Sequence, residues 1–64
     1  MGLAHNIADL RVTAGLTQQE LADRVGVSRS AVAQWETDRG SPQSKRLPKL
    51  AETLNTNLQT LFQE

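Results

Sequence analysis

The sequence has no cysteine, no tyrosine and only two aromatic side chains, Trp35 and Phe62, among its 64 residues. Without cysteine there is neither a disulfide framework nor a thiolate zinc site, so the usual staples of a mini-protein are excluded. His5 is the lone histidine. With no second nitrogen or sulfur ligand beside it, the residues imply no metal and no cofactor. No apolar run approaches the roughly 20 residues of a membrane span. The opening Met1-Gly2-Leu3-Ala4-His5-Asn6 lacks the basic-then-apolar layout of a signal peptide, and Asn6 stands where myristoylation wants Ser or Thr. The expectation is one soluble cytoplasmic domain over residues 1–64, with a modest core, no membrane partner and stability from compact helix packing.

Net charge is also missing: seven basic side chains balance seven acidic ones. The balance hides an asymmetry. Arg29, Arg39, Lys45, Arg46 and Lys49 lie between residues 29 and 49, against only Glu36 and Asp38. A polyanion responds to that local field more than to the total.

Alternating apolar runs are absent, and apolar residues recur at helical spacing instead. Leu3, Ile7, Leu10 and Ala14 fall on one face of a first helix, closed by Gly15 in a left-handed turn. Thr17-Gln18-Gln19-Glu20 reads as a capping box, with Leu16 and Leu21 spaced as a hydrophobic staple. That helix runs to about Val25, and Gly26 makes a tight turn. Ser28 caps a third helix, stapled by Val27 and Val32, that continues through Trp35 to about Glu36. Residues 37–44 are loop chemistry. Pro48 is tolerated only in a first turn, so a fourth helix carrying Leu47, Leu50, Ala51 and Leu54 should start between residues 45 and 48. Asn55 suits a left-handed close, and Asn57 caps a short last helix with Leu58, Leu61 and Phe62. The fold expected is all-α, a compact bundle of five short helices.

The stretch Gln18 to Trp35, with Ala22, Gly26, Val32 and the flanking Glu36, resembles the helix-turn-helix of Cro/cI-type (XRE family) DNA-binding domains, closest in style to lambdoid phage repressors. The spacing has physical reasons. Ala22 must be small where the third helix crosses it, Gly26 turns the chain with positive φ, and Val27, Val32 and Trp35 lock the third helix to the core. Leu10-Arg11 and Gly15-Leu16 upstream, and Pro42, Leu47, Leu50, Ala51 and Leu54 downstream, extend the resemblance along nearly the whole chain, with the helix-turn-helix unit at about residues 17–36.

With Val32 and Trp35 facing inward, helix geometry turns Arg29, Ser30, Ala33 and Gln34 outward, the face a recognition helix lays into the major groove. Arg29 suits guanine, Ala33 a thymine methyl, Gln34 adenine or a phosphate, and Ser30 carries little information. The plainer reading of each is a solvated helix face. The resemblance implies phosphate contacts from Gln18 at the start of the second helix, from Ser28, and from Arg39, Gly40, Lys45 and Arg46 around the following loop. Capping alone explains Ser28, and solubility alone explains the cations. The resemblance also implies an ion pair between Arg11 and Glu36, which makes Arg11 structural. Trp35 is a core residue by its position rather than a base-stacking one.

The function implied is a sequence-specific regulator of transcription, a repressor, binding double-stranded DNA. Two recognition helices about 34 Å apart would read a palindromic operator. In the resembled family the loop before the fourth helix and the last helix contribute the dimer contact, which implicates Thr56, Leu58 and Gln59; a contact that small predicts a monomer when free and a homodimer on DNA. The expected setting is the nucleoid of a bacterial or phage-infected cell. Three alternatives share the domain: an antitoxin, a restriction-modification controller, and the N-terminal part of a longer repressor. A protein-interaction module is the reading from another class. No acid pair, nucleophile–base set or phosphate loop supports an enzyme, and Ser28 and Ser30 have no histidine to activate them.

Overall fold

The computed structural model describes residues 2–64. Among these the order is α1 (Leu3–Thr13), α2 (Gln18–Val25), α3 (Arg29–Glu36), one 3-10 turn (Ser44–Arg46), α4 (Leu47–Thr53) and α5 (Leu58–Leu61). Helices of four to eleven residues are marginal alone in water, so their ends and their shared core must fix them. The N-terminal ends of α2, α3 and α5 are held by side chains. Thr17 Oγ1 accepts the Glu20 N–H at 3.0 Å while the Thr17 N–H donates to Glu20 Oε1 at 2.8 Å, the reciprocal capping box. The Thr17 N–H, and then its hydroxyl, hold the Glu20 carboxyl below its ordinary pKa. Ser28 Oγ accepts the Ala31 N–H at 3.1 Å, and Asn57 Oδ1 the Thr60 N–H at 2.7 Å.

Four helices end in the same way. Gly15, Gly26, Asp38 and Asn55 each take positive φ just past a helix. The next N–H then reaches back five residues: Leu16 to Arg11 O at 3.1 Å, Val27 to Ala22 O at 3.0 Å, Arg39 to Gln34 O at 2.9 Å and Thr56 to Ala51 O at 2.9 Å. Asp and Asn are the non-glycine residues that tolerate this conformation best. Pro48 sits in the first turn of α4, as its missing N–H requires.

One core joins the helices. Ile7 of α1, Leu21, Ala22 and Val25 of α2, Val32 and Trp35 of α3, Leu50 and Leu54 at α4 and Leu61 of α5 are buried together. Ala22 has no exposed surface, as expected where α2 and α3 cross. The molecule measures 25 × 23 × 22 Å. No helix among the described residues is long and apolar enough to cross a membrane.

One expectation from the apolar pattern needs correction. Ala14 is exposed, because α1 ends at Thr13 and Ala14 is its C-cap rather than part of the buried stripe. In α5 only Leu61 is buried; Leu58 and Phe62 are 44% and 48% exposed. They lie one turn apart, on the face that α1 and α4 leave uncovered.

The closure of α5 onto α1 depends on a residue that periodicity passes over. Asn6 Nδ2 donates to Leu61 O at 2.8 Å and to Gln63 O at 2.6 Å, supplying donors to the carbonyls at the end of α5. Asn6→Ala should lower the unfolding free energy by about 1–2 kcal/mol, read from the urea midpoint, since it leaves a partly buried carbonyl unpaired.

Candidate nucleic-acid interface

The exposed face of α3 follows from what the helix buries. Val32 and Trp35 point into the core, Trp35 with 6% of its surface exposed. Ser28, Arg29, Ser30 and Gln34 are exposed on the other side. Ala33 is half-buried, at the edge of this face rather than at its crest. Arg29 and Ala33 form one row along the helix, Ser30 and Gln34 the next. None of the Arg29, Ser30 or Gln34 side chains makes a hydrogen bond or ion pair among the described residues.

The left-handed turn at Asp38 folds the following loop back along α3. A Cβ on Gly40 would lie 3.4 Å from Gln34 Oε1 and 3.7 Å from Gln34 Cβ, so the loop backbone runs against that side chain. Pro42 is buried and ties the loop to the body of the protein. Arg39, Gly40 and Lys45 are exposed. Arg46 differs from the other cations. It is half-buried, its Nη1 donates to Val25 O at 3.3 Å, and the same atom lies 3.3 Å from where a Cβ on Gly26 would stand. Arg46 therefore covers the turn between α2 and α3, where the φ of 85° is what favours glycine at position 26; a Cβ there would meet only the movable end of the Arg46 side chain. Spacing could not reveal that contact, since 21 residues separate its partners. Lys49, further along α4, is spent on Glu52 at 3.4 Å.

Behind the surface, a polar network joins three helices. Arg11 Nε donates to Glu36 Oε2 at 2.6 Å and Arg11 Nη2 to Glu36 Oε1 at 3.1 Å, a two-pronged pair with side chains 16% and 6% exposed. Arg11 Nη1 also donates to Leu16 O at 2.8 Å. Gln18 Nε2 donates to Glu36 Oε1 at 3.0 Å. The Arg11–Glu36 pair was expected. The tie to Gln18 was not, because nothing in residue spacing distinguishes a glutamine that faces inward from one in solvent. Of the remaining residues singled out, Thr56 is half-buried while Leu58 and Gln59 are exposed on the α5 side.

Comparison with known proteins agrees with this geometry. The helix-turn-helix family profile matches residues 7–61, and the chain belongs to that family, in its XRE (Cro/cI) branch of transcriptional regulators. It is 30% identical over 62 residues to the HTH-type transcriptional activator BcrR of Enterococcus faecalis, covering 97% of this chain but only 30% of that protein. The P22 c2 repressor in complex with a synthetic operator superposes with a TM-score of 0.92 at 27% identity, covering 98% of this chain and 96% of that one. The restriction-modification controller C.AhdI from Aeromonas hydrophila superposes with a TM-score of 0.86 at 30% identity, covering 94% and 91%.

The Arg11–Glu36 pair makes a separable prediction about stability. Arg11→Met alone leaves a buried carboxylate with one weak donor and should cost about 3–5 kcal/mol. Arg11→Met/Glu36→Met, which replaces the pair by apolar side chains of similar volume, should cost less than that single change in chemical denaturation.

Proposed function

We propose that this chain is a cytoplasmic, sequence-specific repressor that binds a palindromic operator as a homodimer, with α3 in the major groove. The observation that carries this reading is the exposed, otherwise unused face of α3 flanked by uncommitted cations, on a scaffold that follows an operator-bound repressor along nearly its full length. In this reading Arg29, Ser30, Ala33 and Gln34 meet base edges. Gln18, Ser28, Arg39, Gly40, Lys45 and Arg46 meet phosphates, Arg46 with the donors that its bond to Val25 leaves free. The role is binding rather than catalysis: an operator occupied across two grooves is closed to other proteins. The match to C.AhdI supports a second reading, a restriction-modification controller that would use the same surface.

The partly exposed Leu58, with Thr56 and Gln59, is the proposed dimer contact. It is small, so two copies should hold together mainly when DNA aligns them. Sedimentation at micromolar concentration should give a monomer for the free protein and a dimer on operator DNA; a dominant free dimer would contradict this.

Selection of bound duplexes from a random pool of about 25 base pairs at low salt tests the whole reading. An enriched palindrome with half-sites one helical turn apart is expected. Arg29→Ala should then relax preference at one position per half-site, costing about 1–3 kcal/mol there. Lys45→Ala should instead weaken all duplexes alike and flatten the salt dependence. A protein that retains no duplex at low salt would move the reading to a protein-interaction module.

A further inference from the structure

We propose that Glu36 is a positioning residue for DNA binding: it holds the Gln18 carboxamide in its phosphate-contacting rotamer before DNA arrives. The inference rests on the DNA-binding reading above and deepens it, since it gives a share in affinity to a side chain that touches no DNA.

Glutamine is a poor contact residue if left to itself. Its side chain loses much rotamer freedom when fixed, and its terminal torsion is broad and roughly two-fold, so donor and acceptor edges exchange. A phosphate takes only donors. At Gln18 both difficulties are met by one interaction. Glu36 Oε1 accepts from Gln18 Nε2 at 3.0 Å, and a carboxylate has no proton to offer the carbonyl edge, so the amide is held with its nitrogen toward Glu36. The second N–H on that nitrogen diverges from the first and stays available. It lies at the first residue of α2, where the backbone N–H of Gln18 also lacks an acceptor within the helix. One amide nitrogen would thus bridge two anions, the buried Glu36 and an incoming phosphate.

The restraint is only as firm as its anchor, and Glu36 is firmly held. Its side chain is 6% exposed and carries two bonds from Arg11, whose third donor is fixed on Leu16 O. The chain of contacts runs from α1 through the end of α3 to the start of α2, with no exposed flexible link before Gln18. Because the ordering is complete in the free protein, binding need not supply it, and an immobilised side chain of this kind is worth about three- to tenfold in affinity.

The test is a cycle of four proteins on a mixed-sequence duplex at low salt: wild type, Gln18→Ala, Arg11→Met/Glu36→Met and the triple variant, each checked for folding by Trp35 fluorescence. The paired replacement keeps the packing while removing the anchor. It should weaken binding about three- to tenfold in the wild-type background and far less once Gln18 is alanine. Equal losses in both backgrounds would show that Glu36 and Arg11 act through the fold or through charge, and the proposal would be wrong. If Gln18→Ala alone leaves affinity unchanged, the proposal also fails while DNA binding stands. If the wild type retains no duplex, DNA binding itself fails. Should the paired variant not fold, side-chain amide NMR of the wild type decides. One Gln18 proton should be protected in the free protein and the other should move when duplex is added; a pair behaving like those of exposed Gln43 would overturn the idea.

Discussion

Glu36 stands at an unfavourable place for a carboxylate, the last residue of α3, where the helix dipole already presents negative charge, and its side chain is almost wholly removed from water. Such a group persists only if donors surround it. Here they come from two other helices: two from Arg11 at the end of α1 and one from Gln18 at the start of α2. Satisfying one charge therefore sets where three helix ends lie relative to each other. Apolar packing alone leaves neighbouring helices some freedom to slide, since burial is non-directional. Hydrogen bonds to a fixed carboxylate are directional and allow little. The angle at which α3 leaves the body of the protein is set by this contact together with the crossing of α2 and α3 over Ala22.

The rest of the architecture solves the problem of short helices. A core as small as this, built largely from Ile7, Leu21, Val32, Leu50 and Leu61, cannot tolerate helices that fray or slip in register. Three of the four connections accordingly do two tasks, and the longer one after α3 relies on the left-handed turn at Asp38. Thr17, Ser28 and Asn57 supply acceptors to exposed N–H groups, while Gly15, Gly26, Asp38 and Asn55 return the chain sharply and satisfy carbonyls behind it. Leu16 and Val27, just past two of these turns, drop at once toward the core. The connections before α2, α3 and α5 are short because each combines a left-handed return with a capping side chain, and α3 is tied at both ends although it is only eight residues long.

Much of this was legible in the amino-acid order because local chemistry dominates it. Caps, staples and glycine turns act within five residues, so Thr17 with Glu20, Ser28, Gly26 and Asn55 could be read directly. The exposed face of α3 followed from the inward spacing of Val32 and Trp35. What escaped was long-range or side-chain specific. Asn6 holding the end of α5, Arg46 reaching Val25 and Gln18 reaching Glu36 join residues 18 to 57 apart, and each is a polar residue that reads as solvated. Phe62 is left exposed because α5 is a single turn and presents only one face to α1 and α4. Asp38 was legible only as part of a loop, because aspartate tolerates positive φ without requiring it.

The exposure of one face of α3 has an evolutionary consequence. The side chains of Arg29, Ser30 and Gln34 contribute no hydrogen bond to the fold and none is in the core, whereas Val32, Trp35 and Glu36 on the same two turns are committed to it. Substitutions at the first three positions are thus nearly free of folding penalty, and substitutions at the others are not. A gene encoding this chain can drift through many surfaces on α3 while its product continues to fold, so related chains can change what that face contacts without passing through unstable intermediates. The separation of the two residue sets along a single eight-residue helix makes the scaffold heritable and its text editable.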